Sequence, residues 1–358
     1  MQQVLRNSQR VSLAAGPLAT SKGSSRGVVR VHASADTDFA SYKPNVAAFF
    51  PGQGAQTVGM AKELVAEVPA AKDMFNKASD ILGYDLLQLC TEGPKDRLDS
   101  TEISQPAIYV ASLAAVEKLR ATEGQGQVGA NASTKVLKLE SIDDLWDSPP
   151  GCSVCWVHII FEDGLRLVKL RGESMQAAAN AAASGMVSVI GLDSGKVAEL
   201  CKAASAEVGK ENAVRIANYL CPGNYAVSGS KEGCDAVERL GKPNYKARMT
   251  VRLAVAGAFH TDFMQPAVEK LQAALAQTEV KKPRIPVISN VDAQPHSDPE
   301  TIKSILARQV TSPVLWENTL MTLFEKGLTR SYEIGPGKVV AGITKRINKE
   351  HNITNIFA

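Results

Sequence analysis

The sequence has no apolar run near the ~18 residues that would suggest a membrane-spanning helix. It has no acidic residue before Asp36. It has no disulfide framework either. Its six cysteines, at 90, 152, 155, 201, 221 and 234, are scattered, the pattern of reduced thiols in an intracellular compartment. Only Cys152 and Cys155 form a C-x-x-C. His158 stands close by, but no second ligand pair sits at zinc-site spacing, so no metal is expected. Outside Gly23-Ser24-Ser25-Arg26-Gly27 there is no G-x-S-x-G, the motif that presents a nucleophilic serine on a sharp strand-to-helix turn.

What is present is ordinary for a soluble globular chain: 358 residues, 44% hydrophobic and 22% charged. The acid-free start carries Arg6, Arg10, Lys22, Arg26, Arg30 and six serines. Residues 1–35 therefore read as an organelle transit peptide, plastid ahead of mitochondrion. Without those five cations the net charge of +3 becomes −2. A mildly acidic remainder argues against non-specific nucleic-acid binding.

Periodicity and breakers outline an α/β order. Residues 45–50 read as a buried strand ending at the tight turn Pro51-Gly52-Gln53-Gly54. Residues 56–90 read as helical. A second helix opens at Gln105-Pro106 and runs to Leu119, and a third spans 163–183. Residues 186–255 then give strand, helix, two strands around Cys221-Pro222-Gly223-Asn224, helix and strand. This β-α-β-β-α-β order is that of a ferredoxin-like subdomain. A strand at 283–289, helices at 300–309 and 316–326, a strand at 330–334 and a closing helix complete the chain. The expected domains are a core of 45–184 and 256–358 interrupted by a subdomain of 185–255. Residues 122–160 fit neither, being loop-like, aperiodic and broken by Ser148-Pro149-Pro150-Gly151.

Single residues carry weak signals. His260 follows a strand and precedes a helix, where an α/β enzyme places a general base. Gln53 sits between glycines in a turn that can aim backbone N–H groups at one point. Arg171 lies in an otherwise amphipathic helix and can clamp a carboxylate. Their plain alternatives are a capping histidine, a simple turn and a solvated helix face. The other histidines, 32, 158, 296 and 351, fall in expected loops or tails.

As an ordered set, FFPGQGAQ (49–56), QPAIYVASLAAVEKL (105–119), FEDGLRLVKLRGESMQ (161–176), ANYLCPGNYAVSGS (217–230), GAFHTDFM (257–264) and EIGPGKVVAGITKRI (333–347) resemble malonyl-CoA:acyl-carrier-protein transacylases. The resemblance implies an α/β-hydrolase-like core with an inserted ferredoxin-like α+β subdomain. It implies a monomer with no cofactor, malonyl-CoA as substrate and acyl carrier protein as partner. Chemistry of this kind is ping-pong acyl transfer through a serine–histidine pair. His260 matches the general base. Gln309 matches the residue whose backbone carbonyl orients that base, Gln53 the oxyanion-hole glutamine, and Arg171 the cation that pairs with the malonyl carboxylate. Lys242, Lys246, Arg248, Lys345 and Arg346 are candidate contacts for an acidic carrier.

The departure is the nucleophile. In the family it stands in a Gly-x-Ser-x-Gly-Glu elbow about 25 residues before the arginine matching Arg171. That count lands here on Trp146, with no serine elbow around it. Ser153 has Gly151 two residues before it, but Cys155 replaces the glycine two residues after, and Arg171 follows only 18 residues on. Ser174 falls mid-helix. The abrupt borders of 122–160 point to an altered reading of the gene, by a retained intron, exon choice or frameshift. The chain is expected to be impaired or inactive in acyl transfer; the alternative function is a non-catalytic module that binds acyl carrier protein or acyl-CoA.

Overall fold

The computed structural model describes residues 43–125, 159–210, 213–283 and 287–357. The transit-like segment, most of 122–160, Cys152, Cys155, His158 and Ser153 lie outside them.

Three short parallel strands form the core sheet in the order β1-β8-β9: β1 (Val46–Phe49), β8 (Arg330–Ile334) and β9 (Asn352–Ile356). Val46 to Phe49 pair with Arg330 to Glu333, and Arg330 to Ile334 with Asn352 to Ile356. The sequence reading misses β9 because a five-residue strand after the closing helix carries little periodic signal of its own.

The helical stretch expected over 56–90 is three helices: α1 (Lys62–Glu67), α2 (Pro69–Leu82) and α3 (Leu86–Glu92). Pro69 takes the first position of α2, where its missing N–H costs nothing, and Gly83 closes it at φ 82°. Asp85 then caps α3 by accepting from the Gln88 N–H. After α4 (Lys95–Asp99) comes α5 (Thr101–Gln125), which starts a turn before Gln105 and carries Pro106 inside it. As the sixth residue, the proline removes one hydrogen bond of the helix ladder. Every residue from Ile103 to Val116 is buried, so α5 is a core helix, apolar on all faces. Beside it runs α6 (Phe161–Ala181). The two meet closely at Gly172, where an added Cβ would lie 2.9 Å from the Thr101 carbonyl oxygen. Buried Tyr109 donates to the Phe161 carbonyl at 3.0 Å and stacks on its ring, which anchors the start of α6 to α5.

A second sheet of four antiparallel strands has the order β3-β4-β2-β5. Its strands are β2 (Ser184–Ile190), β3 (Val214–Cys221), β4 (Asn224–Ser230) and β5 (Met249–Arg252), with α7 (Ser194–Glu207) and α8 (Lys231–Tyr245) between them in sequence. Numbered within the unit, the order is 2-3-1-4, the ferredoxin-like arrangement that the β-α-β-β-α-β reading implies. Tyr219 N–H donates to the Val314 carbonyl, and Val314 N–H to that of Ala217, both at 2.8 Å. These bonds tie the subdomain to the core.

Downstream come α9 (Gln265–Gln277), the two-residue strands β6 (Val287–Ile288) and β7 (Pro295–His296), α10 (Pro299–Arg308), α11 (Trp316–Glu325) and α12 (Val339–Ile347). The strand expected over 283–289 is thus only Val287–Ile288 within the described residues. Two histidines expected in loops or tails are buried parts of the frame. His296 Nε2 lies 2.9 Å from the Asp292 carboxylate, and His351 Nε2 2.8 Å from the Ser331 hydroxyl. Fully buried Glu333 accepts from the Val340 and Ala341 N–H groups at 2.8 Å and from the Asn355 amide at 2.7 Å. It thereby places a carboxylate at the positive end of α12, although burial still raises its proton affinity. Among the described residues no helix is long and apolar enough to cross a membrane.

Candidate active site

A cleft of about 400 Å³ opens where β1 and β8 end, the usual place for a site in a parallel sheet. Its walls come from the β1 turn, α5, α6, the second sheet, the His260 corner and α12. Gln53, Arg171 and His260, far apart in sequence, all line it. Gln309 does not line it but touches His260 from behind.

The Pro51-Gly52-Gln53-Gly54 turn is held by Ala55 N–H donating to the Gly52 carbonyl at 3.2 Å and by Gln53 Nε2 reaching Thr101 Oγ1 at 3.4 Å. Gly335, at the end of β8, passes directly against it. A Cβ there would meet Pro51 Cδ at 3.0 Å and the Ser112 hydroxyl closer still, and φ is +130°. Only glycine lets the two strand ends come this near.

His260 is fixed through three of its groups. Its N–H donates to the Val310 carbonyl at 3.1 Å. Its own carbonyl accepts from Arg215 Nη2 at 3.3 Å. Its ring Nδ1 lies 3.0 Å from the Gln309 carbonyl. A carbonyl only accepts, so Nδ1 carries the proton and Nε2 keeps the lone pair that a base needs. The backbone stands at φ 60°, a left-handed conformation that a non-glycine residue holds only when its surroundings demand it. Burial, the Arg171 charge and, more weakly, the Arg215 charge pull the His260 pKa down to about 4, while the Gln309 and Ser312 carbonyls oppose them. The imidazole is therefore neutral at pH 7, as a base must be.

Arg171 sits on α6 and donates through Nη1 to Gln105 Oε1 at 2.6 Å. Gln105 is itself buried in the apolar helix α5, and its amide reaches Met175 Sδ at 3.6 Å. The sequence reading takes Gln105 as a helix opener and misses this role. The signal available was a polar side chain inside the otherwise apolar run Gln105–Val116. The remaining wall is largely apolar. Trp316 lies edge-on to Phe49, and its Nε1, like Asn218 Oδ1, is buried without a partner among the described residues.

Among the described residues no serine, threonine or cysteine lines the cleft. Ser174 is buried on α6 and Cys221 on β3, neither of them in its wall. Lys242, Lys246 and Arg248 stand at the end of α8 and just after it, and Lys345 and Arg346 in the last turn of α12. No group of metal-binding side chains occurs among the described residues.

Residues 49–129 and 151–355 match the acyl transferase domain family. The chain belongs to that family, among its malonyl-CoA:acyl-carrier-protein transacylases. It is 38% identical over 311 residues to the mitochondrial malonyl-CoA-acyl carrier protein transacylase of Mus musculus, a stretch that spans 84% of this chain and 78% of the relative. The solved structure of the malonyl CoA-acyl carrier protein transacylase from Coxiella burnetii is 31% identical and superposes with a TM-score of 0.75, over 88% of this chain and 94% of that one. A malonyl-transacylase solved in complex with a type II polyketide-synthase acyl-carrier protein is 33% identical, with a TM-score of 0.72, over 87% of this chain and 95% of that one. The α/β-hydrolase-like core with a ferredoxin-like subdomain is thus a family trait of this acyl transferase. The family match extends further into the odd segment than the quoted motifs do. Only residues 130–150 are left outside it, and Ser153 falls within.

Proposed function

We propose that this chain is built to move malonyl from malonyl-CoA to the phosphopantetheine thiol of acyl carrier protein, in fatty acid synthesis, and that the sequence as it stands is impaired in the first half of that transfer. The observation that carries the reading is the shared cleft: a cation, Arg171, and a neutral, carbonyl-oriented imidazole, His260, beside a glycine-flanked turn. The names of its relatives support malonyl-CoA and acyl carrier protein as the two reactants.

Each residue has a place in the chemistry. Arg171 receives the malonyl carboxylate. A carboxylate entering a mostly apolar cleft needs a fixed cation, and acetyl, which carries no charge, gains nothing from Arg171. The Gln53 backbone N–H stabilises the oxyanion as the thioester carbonyl turns tetrahedral. His260 takes the nucleophile's proton through Nε2 and returns it to the departing CoA sulfur. In the second half it takes the proton of the carrier thiol. Gln309 holds the tautomer through its carbonyl. No cofactor enters, only malonyl-CoA as substrate.

What is missing is the serine oxygen that would carry malonyl between the halves. Ser153 is the sole serine after residue 121 and before Phe161 with a glycine two residues ahead, and it lacks the second glycine of an elbow. The second reading, a non-catalytic binder of acyl carrier protein or acyl-CoA, follows from that and from a cleft wall without a nucleophile among the described residues. Labelled malonyl-CoA with holo-acyl carrier protein tests both. We expect saturable binding, with label on neither protein. Label on the carrier would overturn the impairment, and absence of binding would overturn the Arg171 assignment.

The core of 45–184 and 256–358, with 185–255 as an inserted subdomain, acts as a monomer in this reading. Basic residues such as Lys246 and Arg248 meet the acidic carrier. Residues 1–35 direct import to the plastid stroma. The mitochondrial name of the mouse relative favours the other organelle, and imaging residues 1–42 fused to a fluorescent protein against markers of both decides between them.

A further inference from the structure

A second pocket, of about 660 Å³, lies between α7 and β3 and shares no lining residue with the cleft. Among the described residues, Lys202, Lys210 and Arg215 line it, and no aspartate or glutamate does. Lys202 and Lys210 are exposed, and neither forms an ion pair among the described residues. The α7 exit sets this geometry. Gly209, at φ +67°, turns the chain so that Lys210 N–H donates back to the Ser205 carbonyl at 3.1 Å. The Ser205 hydroxyl in turn accepts from Val214 N–H at the start of β3, at 3.4 Å.

Arg215 is the third cation and the most constrained. Its Nη2 donates to the Thr311 carbonyl at 2.6 Å and to the His260 carbonyl at 3.3 Å, and lies 3.3 Å from the Asp262 carboxylate. Its Nε is buried and finds no acceptor. The rest of the wall is mainly apolar, with Ile216, Pro313 and half-buried Tyr219, whose ring is braced edge-on by Tyr225 at 5.8 Å. Three cations, one of them already shared with Asp262, beside an aromatic ring make a site for a phosphate attached to a flat or apolar body.

We infer that this pocket binds a small organic phosphate, with its phosphate on Lys202, Lys210 and Arg215 and its body against Tyr219. Arg215 is then shared between the ligand and the carbonyl of His260, so the pocket adjoins the back of the catalytic corner. The inference is independent of turnover and of the proposed acyl transfer, because it is read by binding alone.

The test is calorimetry on the whole protein with adenosine diphosphate, adenosine and pyrophosphate, each with and without saturating malonyl-N-acetylcysteamine, a malonyl thioester that carries no phosphate. We expect adenosine diphosphate to bind in both conditions, and adenosine to bind on the order of tenfold more weakly or not at all. The exposed double variant Lys202→Glu with Lys210→Glu should lose on the order of tenfold in adenosine diphosphate affinity, with the melting temperature and malonyl-CoA affinity unchanged. Displacement by malonyl-N-acetylcysteamine, which carries malonyl but no phosphate, would mean that the nucleotide occupies the cleft, and would overturn the proposal. So would an undiminished affinity in the double variant. A double variant that loses only acyl-carrier-protein binding would make this face a protein-docking surface and would likewise overturn it.

Discussion

Replacing Arg171 with alanine separates three things that one guanidinium does. Toward substrate it offers a charge-assisted, two-pronged bond to a carboxylate, about 1.5–3 kcal/mol in a site of this kind. At 1.4 kcal/mol per decade, malonyl-CoA should bind roughly 10- to 150-fold more weakly to Arg171→Ala. Acetyl-CoA has no carboxylate for the guanidinium to hold and should change by less than about threefold. Toward the protein, the change strips Gln105 Oε1 of the donor 2.6 Å away. The buried side-chain carbonyl oxygen of Gln105 then loses this donor, at a cost of about 1–3 kcal/mol in stability. Toward His260 it removes the largest charge effect behind burial, so the imidazole pKa should rise from about 4. Titration calorimetry with both thioesters, beside a denaturation curve, reads the first two effects. The decisive figure is the ratio of the two affinity losses. An equal loss for malonyl and acetyl would show a cleft damaged in general and would refute carboxylate recognition by Arg171.

Three other expectations follow from single contacts. Gln105→Leu keeps the volume and removes the acceptor of Arg171, so malonyl-CoA affinity should fall roughly 2- to 10-fold with acetyl-CoA unmoved; an unchanged ratio would mean that Gln105 does not hold the guanidinium. Gly172→Ala puts a Cβ 2.9 Å from the Thr101 carbonyl oxygen and 3.1 Å from Glu102 Cα, both backbone atoms. It should destabilise by about 1–3 kcal/mol in urea unfolding, and a neutral result would show that α5 and α6 can separate freely. Acid should weaken the fold through His260. Its folded pKa is near 4 against 6.5 for the free side chain, so from pH 6.5 down to about 4 the unfolded chain takes up a proton that the folded one refuses. Its contribution is fully present above pH 6.5 and is lost as pH falls through that window. His260→Asn should flatten part of that slope. His351, also lowered by burial, supplies another part.

Local signals in the sequence carried the subdomain. Strands of seven or eight residues, two capped helices and the Pro222-Gly223 turn each announce themselves, and their order alone implies the sheet. The core sheet was harder to read because its strands are short and parallel and pair across nearly the whole chain, so β9 passes unnoticed. His260, Gln53 and Arg171 were weak one at a time. Nothing local says that residues 53, 171 and 260 meet, and only the ordered set of motifs joined them. Gln105 and Arg215 escaped for another reason: each acts through long-range hydrogen bonds, which periodicity does not encode.

The missing elbow can be stated as a length. The family spacing from nucleophile to arginine is about 25 residues, whereas Ser153 precedes Arg171 by 18. The shortfall of seven residues is about two helical turns, or roughly 10 Å at 1.5 Å per residue. Arg171 cannot move to meet it, because α6 is pinned at Phe161 by Tyr109 and at Gly172 by the backbone of α5. A serine at 153 would therefore have to reach the cleft without the helix that normally stands behind the nucleophile. The repair follows from the same constraint. Replacing residues 122–160 with a segment that carries a Gly-x-Ser-x-Gly-Glu elbow about 25 residues before Arg171 restores both glycines and the spacing, while every other proposed site residue stays where it is. We expect that chimera to take up malonyl label on the protein and pass it to acyl carrier protein, and Ser153→Ala in the original chain to change nothing. A folded chimera that binds malonyl-CoA but stays unlabelled would show that the Gln53, Arg171 and His260 arrangement is not the working half of a transacylase.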